Sequence, residues 1–314
     1  MFHMCRVGKY LGIIIMVVAL ISSSLQANAM EFAQVDVSKQ IYSYDEMVED
    51  IINLAAGHED FVSYSTLATT SQGRSVCLLK YGNLASENKI LITASIHARE
   101  YMTSQLVMRM LEEYILNYDV PQANGLTYRQ MFDSVCFYVL PMINPDGVTI
   151  SQFGGTPRIK SNGNGVDLNR NFPLGFGQAP NATKKPGLSN YPGPTPLSEV
   201  ETLAMATLLN ENDFATCINY HSMGELIYYG ASTNSAEVAI GCKNMANLVG
   251  SITGYKKLYC GNAIGSFADY FGSVEAAPSV TIEIGTATPT PISQFDGIYN
   301  RNIKVWPEVA RLYQ

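Results

Sequence analysis

Three of the four histidines, His58, His97 and His221, lie beyond residue 30, so a histidine-based metal site draws on a very short list. His97 and Glu100 form an H-x-x-E where an apolar strand (90–94) gives way to a helix beginning near Glu100. Residues three apart across such a turn can point to one side, so one short segment offers two ligands. His221 ends a second apolar run, 214–220, and in open α/β sheets ligands gather at the carboxyl ends of strands. Three protein ligands with a fourth place for water is the arrangement of a catalytic zinc, not a structural one. The bland reading of either histidine is a hydrogen-bonded turn or strand-end residue. His58, in AAGHED after a helix-stopping glycine, fits that reading and is left as a surface residue.

Glu283 adds a fourth group. It lies in SVTIEIG, an alternating strand in which Val280, Ile282 and Ile284 share one face and Thr281 and Glu283 the other. A charged side chain near the end of a core strand needs a reason. It is either half of a buried salt bridge or a carboxylate poised to take a proton from water at the metal.

The elements that must position these groups alternate. Ser43 and Glu46 make a capping box that opens a packing helix carrying Met47, Val48, Ile51, Ile52 and Leu54 and stopping at Gly57. Short apolar strands are expected at 76–81, 90–94, 135–140, 214–220 and 279–284. Helices are expected near 100–115, 198–209 and 236–252. The class is therefore α/β, a single domain with a mixed, largely parallel central sheet flanked by helices. One region departs from this pattern: 151–197 is rich in Gly, Asn and Pro and holds no periodic segment, and loops this long in a compact domain are usually functional or disordered.

At the amino end, Arg6 and Lys9 precede an apolar run (11–21) and then Ala27-Asn28-Ala29, the pattern of a secretory signal peptide with an A-x-A cleavage site. The run is short of the roughly 20 residues that span a bilayer, so cleavage is favoured over an uncleaved anchor. The expected organisation is a signal peptide over 1–29 and one domain over 30–314, favoured over two because no linker interrupts it. The product is expected outside the cytoplasm, secreted or in the cell envelope, without stable membrane insertion. Two of the 20 basic side chains and none of the 27 acidic ones fall in the signal segment, so the net charge of −7 deepens to about −9. Such an acidic chain argues against nucleic acid as partner. Five of the six cysteines remain after cleavage, an odd number, so at least one is free. Cys77, Cys136 and Cys217 read as buried strand thiols, whereas Cys242 and Cys260 flank one helix-to-loop unit and could pair.

Six segments, taken in order, resemble the zinc carboxypeptidase family, the carboxypeptidase A-like metallopeptidases, over nearly all of 30–314. They are QGRSV (72–76), IHARE (96–100), INPDGV (143–148), GVDLNRNFP (165–173), NYHSMGE (219–225) and TIEIGT (281–286). The resemblance implies one zinc per chain held by His97, Glu100 and His221, with Glu283 as general base. It implies that Asn169 and Arg170 hold a substrate's terminal carboxylate, a task suited to a guanidinium, and that Arg99 is a second arginine of the cleft. Two positions depart from the pattern. Lys160 stands where digestive members carry an arginine that polarises the scissile carbonyl, and is expected to stabilise the oxyanion as a point charge. The family's mobile tyrosine falls near Tyr259, with a longer spacing to Asp269-Tyr270. SFADY (266–270) resembles the segment that lines the specificity pocket, its floor left open.

NYHSMGELIYY (219–229), PSVTIEIGT (278–286) and PTPISQFDGIYNRN (289–302) are most similar to the bacterial branch that cleaves the γ-D-glutamyl to diaminopimelate bond of cell-wall peptides. The resemblance thus implies a peptidase acting on peptides with a free terminal carboxylate, cell-wall stem peptides first. The alternatives are a broad metallocarboxypeptidase and a non-catalytic peptidoglycan-binding protein on the same scaffold.

Overall fold

The structure, a computed structural model, describes residues 35–314; the expected signal segment lies outside them. Eight strands form one sheet: β1 (Val62–Thr69), β2 (Ser75–Gly82), β3 (Lys89–Ala94), β4 (Cys136–Leu140), β5 (Phe214–Ser222), β6 (Leu226–Tyr229), β7 (Lys256–Tyr259) and β8 (Ser279–Ile284). Their order is β1-β2-β4-β3-β5-β8-β6-β7. The four central strands β4, β3, β5 and β8 run parallel, β2 joins β4 antiparallel, and β6 joins β8 antiparallel. The expected mixed sheet is thus parallel at its centre, where strands are apolar runs buried on both faces.

The helices are α1 (Tyr44–Ala55), α2 (Met102–Leu116), α3 (Tyr128–Phe132), α4 (Pro145–Phe153), α5 (Val200–Asn210), α6 (Ala236–Thr253), α7 (Phe267–Val274), α8 (Phe295–Asn302) and α9 (Val305–Ala310). The Ser43–Glu46 capping box is present at the start of α1. Side chains on alternate strand positions feed two cores. Leu91, Tyr138 and Cys217 pack with Met205, Leu208, Phe267 and Phe271 of α5 and α7. Phe137 stacks instead on Trp306 of α9, with Phe132 and Tyr114 edge-on to neighbouring rings.

Three strands escaped the sequence pattern for physical reasons. β1 (VSYSTLAT) buries only Val62, and β7 (KKLY) is exposed throughout as the sheet's outer edge. β6 is four residues long. The 151–197 region is as irregular as expected after the last residues of α4, its only helical turn being the 3-10 segment Leu168–Arg170. The pairing considered for Cys242 and Cys260 is not made. Both are free thiols, Cys242 buried on α6 and accepting from the Ser279 amide, Cys260 exposed just beyond β7.

Candidate active site

The parallel register brings the chemistry together. His221 on β5 is the register partner of Glu283 on β8, and Asn219 is the partner of both Thr281 and Thr93. Because strand side chains alternate, these groups occupy one face at the carboxyl end of the central strands. β3 ends one residue before Ser95, whose positive φ of 49° turns the chain out of the sheet. Buried hydroxyls hold that turn: Thr103 Oγ1 accepts from the Ser95 amide and donates to the Glu100 carbonyl. The turn leads into the 3-10 segment Ala98–Glu100, which presents Glu100 beside His97.

His97, Glu100 and His221 are all buried. The Glu100 carboxylate lies between the rings, Oε1 at 2.8 Å from His97 Nδ1 and Oε2 at 2.9 Å from His221 Nδ1, and it also accepts from the Ser222 amide. Burial opposes its ionisation, but the two histidines win and hold it well below the usual carboxylate range. One donor atom from each residue lies within 4.8 Å of the others.

Behind His97 stands Asp167, fully buried, with Oδ1 3.4 Å from His97 Nε2 and Oδ2 accepting from the Asn190 amide. Neither His97 Nε2 nor Asp167 Oδ1 has another partner. This pair tests the fit of a metal. An imidazole that donates its Nδ1 lone pair to a metal carries its proton on Nε2 and needs an acceptor there, which Asp167 supplies. Two imidazole nitrogens and a carboxylate, one backed by a buried acid, fit zinc. Burial raises and His97 lowers the Asp167 pKa, and the lowering prevails. Sequence reasoning missed Asp167. Its signal was there, an acid inside the otherwise apolar opening of GVDLNRNFP.

Glu283 is half-buried and faces the same cavity. Burial is the largest influence on it and, with the Glu100 charge, pushes its pKa up to about 7 against the pull of His221, Lys160 and Arg99. A carboxylate tuned toward neutrality beside three residues that could hold a metal is suited to exchange protons.

The long loop is tied to this turn. The Ala98 and Arg99 amides donate to the Lys160 and Ile159 carbonyls, and Asn144 Nδ2 donates to Ile96 and Lys160. Lys160, Asn169 and Arg170 line a cavity of about 320 Å³ together with His97, His221 and Glu283. Asn169 spends its Oδ1 on the Phe267 amide, leaving its Nδ2 hydrogens for a ligand. Arg170 Nη1 donates to the Asn169 carbonyl while its buried Nε has no partner. Gly265 (φ +80°) lets α7's leading loop approach, since a Cβ there would stand 2.7 Å from the Arg170 carbonyl. Arg99 is outside the cavity lining, and its buried Nε is unpartnered. Tyr259 is also outside it, 54 % exposed on the edge strand with its ring edge-on to Tyr229. His58 is a local residue, its Nδ1 against the Leu54 carbonyl.

Comparison with known proteins gives a consistent picture. The family model described as zinc carboxypeptidase matches residues 47–291. The chain is similar to gamma-D-glutamyl-L-diamino acid endopeptidase 1 of Lysinibacillus sphaericus, 28% identical over 301 residues, covering 88% of this chain and 73% of that one. It is 29% identical to human carboxypeptidase B over 223 residues, 66% of this chain and 52% of the relative. Among solved structures, thrombin activatable fibrinolysis inhibitor superposes with a TM-score of 0.75 at 20% identity, over 87% of this chain and 74% of that chain.

Proposed function

The chain belongs to the zinc carboxypeptidase family and is a zinc metallopeptidase, and from that premise we propose that it hydrolyses the γ-D-glutamyl to diaminopimelate bond of bacterial cell-wall peptides. The observation that carries this reading is the likeness, over most of the chain, to an endopeptidase named for γ-D-glutamyl-L-diamino acid bonds.

His97, Glu100 and His221 would hold one zinc through the two Nδ1 atoms and the carboxylate, with Asp167 fixing the His97 tautomer. Bound there, zinc supplies Lewis acidity to a carbonyl oxygen and to water. Glu283 takes the proton of the attacking water and returns it to the leaving amine. Lys160, within the cavity, and Arg99, behind it, balance the negative charge that develops on the carbonyl oxygen. Asn169 and Arg170 grip the terminal carboxylate of the leaving residue. Tyr259 is assigned a place at the rim only.

We further propose that residues 1–29 are a signal peptide and that 30–314 is the exported domain. Among the described residues no helix is long and apolar enough to cross a membrane. The amino-terminal sequence of the protein recovered from outside the cytoplasm tests this, and a start near residue 1 refutes it.

A second reading, a broad metallocarboxypeptidase, has the likeness to carboxypeptidase B in its favour. Incubation with L-Ala-γ-D-Glu-meso-diaminopimelate and with an amine-blocked dipeptide ending in a hydrophobic residue separates the two. Chelator-sensitive cleavage of the first alone is expected; cleavage of the second alone overturns the cell-wall reading.

A further inference from the structure

Two residues beyond Glu283 the chain turns at Gly285, with a φ of +64°, and folds back so closely that a Cβ there would stand 2.6 Å from Thr290 Cγ2. Internal bonds keep the loop 285–294 compact. Gln294 accepts from the Thr286 amide and donates to the Thr286 hydroxyl, and Thr290 Oγ1 donates to the Ala287 carbonyl. The inner side of the loop touches the segments that carry the site. The Gly285 carbonyl accepts from the Gly224 amide, three residues past His221. Thr288 Oγ1 accepts from Ser222 Oγ (3.2 Å) and donates to the Arg99 carbonyl (3.4 Å), while the Ser222 amide donates to Glu100. One hydroxyl thus joins the loop after Glu283 to both of the other segments.

The outer side of the loop rests on Gln40, in the stretch ahead of α1. Its amide makes three hydrogen bonds: Nε2 donates to the buried Thr290 carbonyl (2.9 Å) and to the hydroxyl of Tyr101 (3.3 Å), and Oε1 accepts from the Ile292 amide (2.8 Å). Tyr101 directly follows Glu100. Among the described residues, Gln40 and Ser222 are the only side chains from elsewhere in the chain that bond to this loop. The backbone on either side of Gln40 is tethered as well, since Gln105 Nε2 donates to the Asp36 carbonyl and Gln152 Nε2 to the Tyr42 carbonyl. The amide is therefore held in place with its donors and its acceptor engaged, unlike a glutamine free to turn in solvent.

Resting on the peptidase reading above, we infer that Gln40 is a positioning residue: it locks the loop 285–294 against the Glu100 turn and, through Thr288, sets Arg99 and Glu283 relative to each other. The Glu100 turn has its own support in the hydroxyl of Thr103, which bonds the Ser95 amide and the Glu100 carbonyl. Gln40 accordingly governs turnover and leaves metal retention untouched.

The test compares zinc-loaded Gln40→Met, which keeps the stem but loses all three bonds, with Thr288→Val, the double variant and Gln152→Leu. Rates are read on L-Ala-γ-D-Glu-meso-diaminopimelate and on the amine-blocked dipeptide. Gln40→Met is expected to lower kcat about 10-fold with KM within about twofold, short of the roughly 100-fold that a misplacement of about 1 Å can cost. Its zinc affinity, measured by chelator competition, is expected to stay within about threefold of wild type. The double variant should lose no more than about threefold beyond the worse single variant, because both changes cut one link. Gln152→Leu loosens the same stretch at Tyr42 but touches no loop residue, and is expected to keep kcat within about twofold. Hydrogen exchange needs no substrate: in Gln40→Met the amides of 285–294 and of Gly224 should exchange about 10-fold faster, with β3 and β5 unchanged. An unchanged kcat, multiplied losses in the double variant, an equal loss in Gln152→Leu, a zinc affinity that falls with kcat, or exchange that is unaltered in the loop or faster throughout the sheet overturns the inference. Cleavage of the dipeptide alone, with the Gln40 pattern intact, supports Gln40 while removing the cell-wall reading. Cleavage of the γ-D-glutamyl peptide with a kcat indifferent to Gln40 removes the Gln40 assignment alone.

Discussion

Asp167→Asn isolates the contribution of the acid behind the proposed metal site. The Asn190 amide donates to one oxygen of Asp167, and the other faces His97 Nε2 at 3.4 Å. An asparagine has one oxygen, and the half-buried Asn190 amide beside it will claim that oxygen. The amide NH2 then points at Nε2, where a protonated nitrogen cannot be tolerated, so the proton is driven to Nδ1 and the lone pair needed for metal is lost. Removing such a supporting acceptor costs on the order of 10- to 100-fold in metal affinity, or about 1.4–2.7 kcal/mol. The assay is zinc competition against a chromogenic chelator at neutral pH, followed by turnover at saturating zinc. Zinc affinity should fall within that range and excess zinc should restore most of the rate. An unchanged zinc affinity would refute the tautomer reasoning, and a rate that excess zinc leaves unrestored would show that Asp167 acts on something other than metal retention.

Glu283→Gln should keep bound zinc, measured by metal analysis, while turnover drops roughly 10²–10⁴-fold, the scale of general acid–base catalysis; a near-normal rate would remove the base assignment. Glu201, buried on α5 with Oε1 accepting from Asn162, has its pKa pushed up to about 7, chiefly by burial. Its folded pKa exceeds its unfolded one, so its ionisation costs stability fully above pH 7, and the cost fades as the pH falls toward 4.5. Glu201→Gln should therefore melt higher than wild type at pH 8, by a free-energy difference on the order of 1–3 kcal/mol, and the difference should shrink by pH 5; a gap independent of pH contradicts the burial argument. Tyr259→Phe should change kcat/KM by less than about threefold, because the phenol stands outside the cavity. A larger loss would mean that this side chain swings into the site.

How much of this was legible in the sequence follows from how local each signal is. The central strands are short apolar runs, and the candidate metal triad announces itself by type and spacing: His97 and Glu100 share one turn, and His221 closes a strand. Glu283 stood out because alternation put it on the face opposite Val280 and Ile282. What remained hidden depends on contacts between distant segments. Asp167 matters through His97, seventy positions away, and nothing in its own neighbourhood states that. Arg74 and the buried Asp146 join QGRSV to INPDGV by an ion pair of 2.9 Å that neither motif discloses alone. The exposed β7 carries no apolar alternation, since an edge strand buries too little to need it. Cys242 and Cys260 flank one unit in the sequence, yet one thiol is buried within α6 while the other lies exposed past the sheet's edge. Proximity along the chain did not become the Cβ geometry that a bond requires.

The pairing of His221 with Glu283 across β5 and β8 has a consequence for how this protein can change. A single-residue insertion or deletion in either strand would turn one of the two side chains to the opposite face, so that part of the molecule is closed to length variation. Tyr228 on β6, the register partner of Thr281, shares that constraint, whereas the exposed edge strand β7 and the segment before α7 do not pair across the central strands. Lineages descended from this chain can therefore vary the length of that outermost margin, while the proposed hydrolytic centre is inherited as a fixed block.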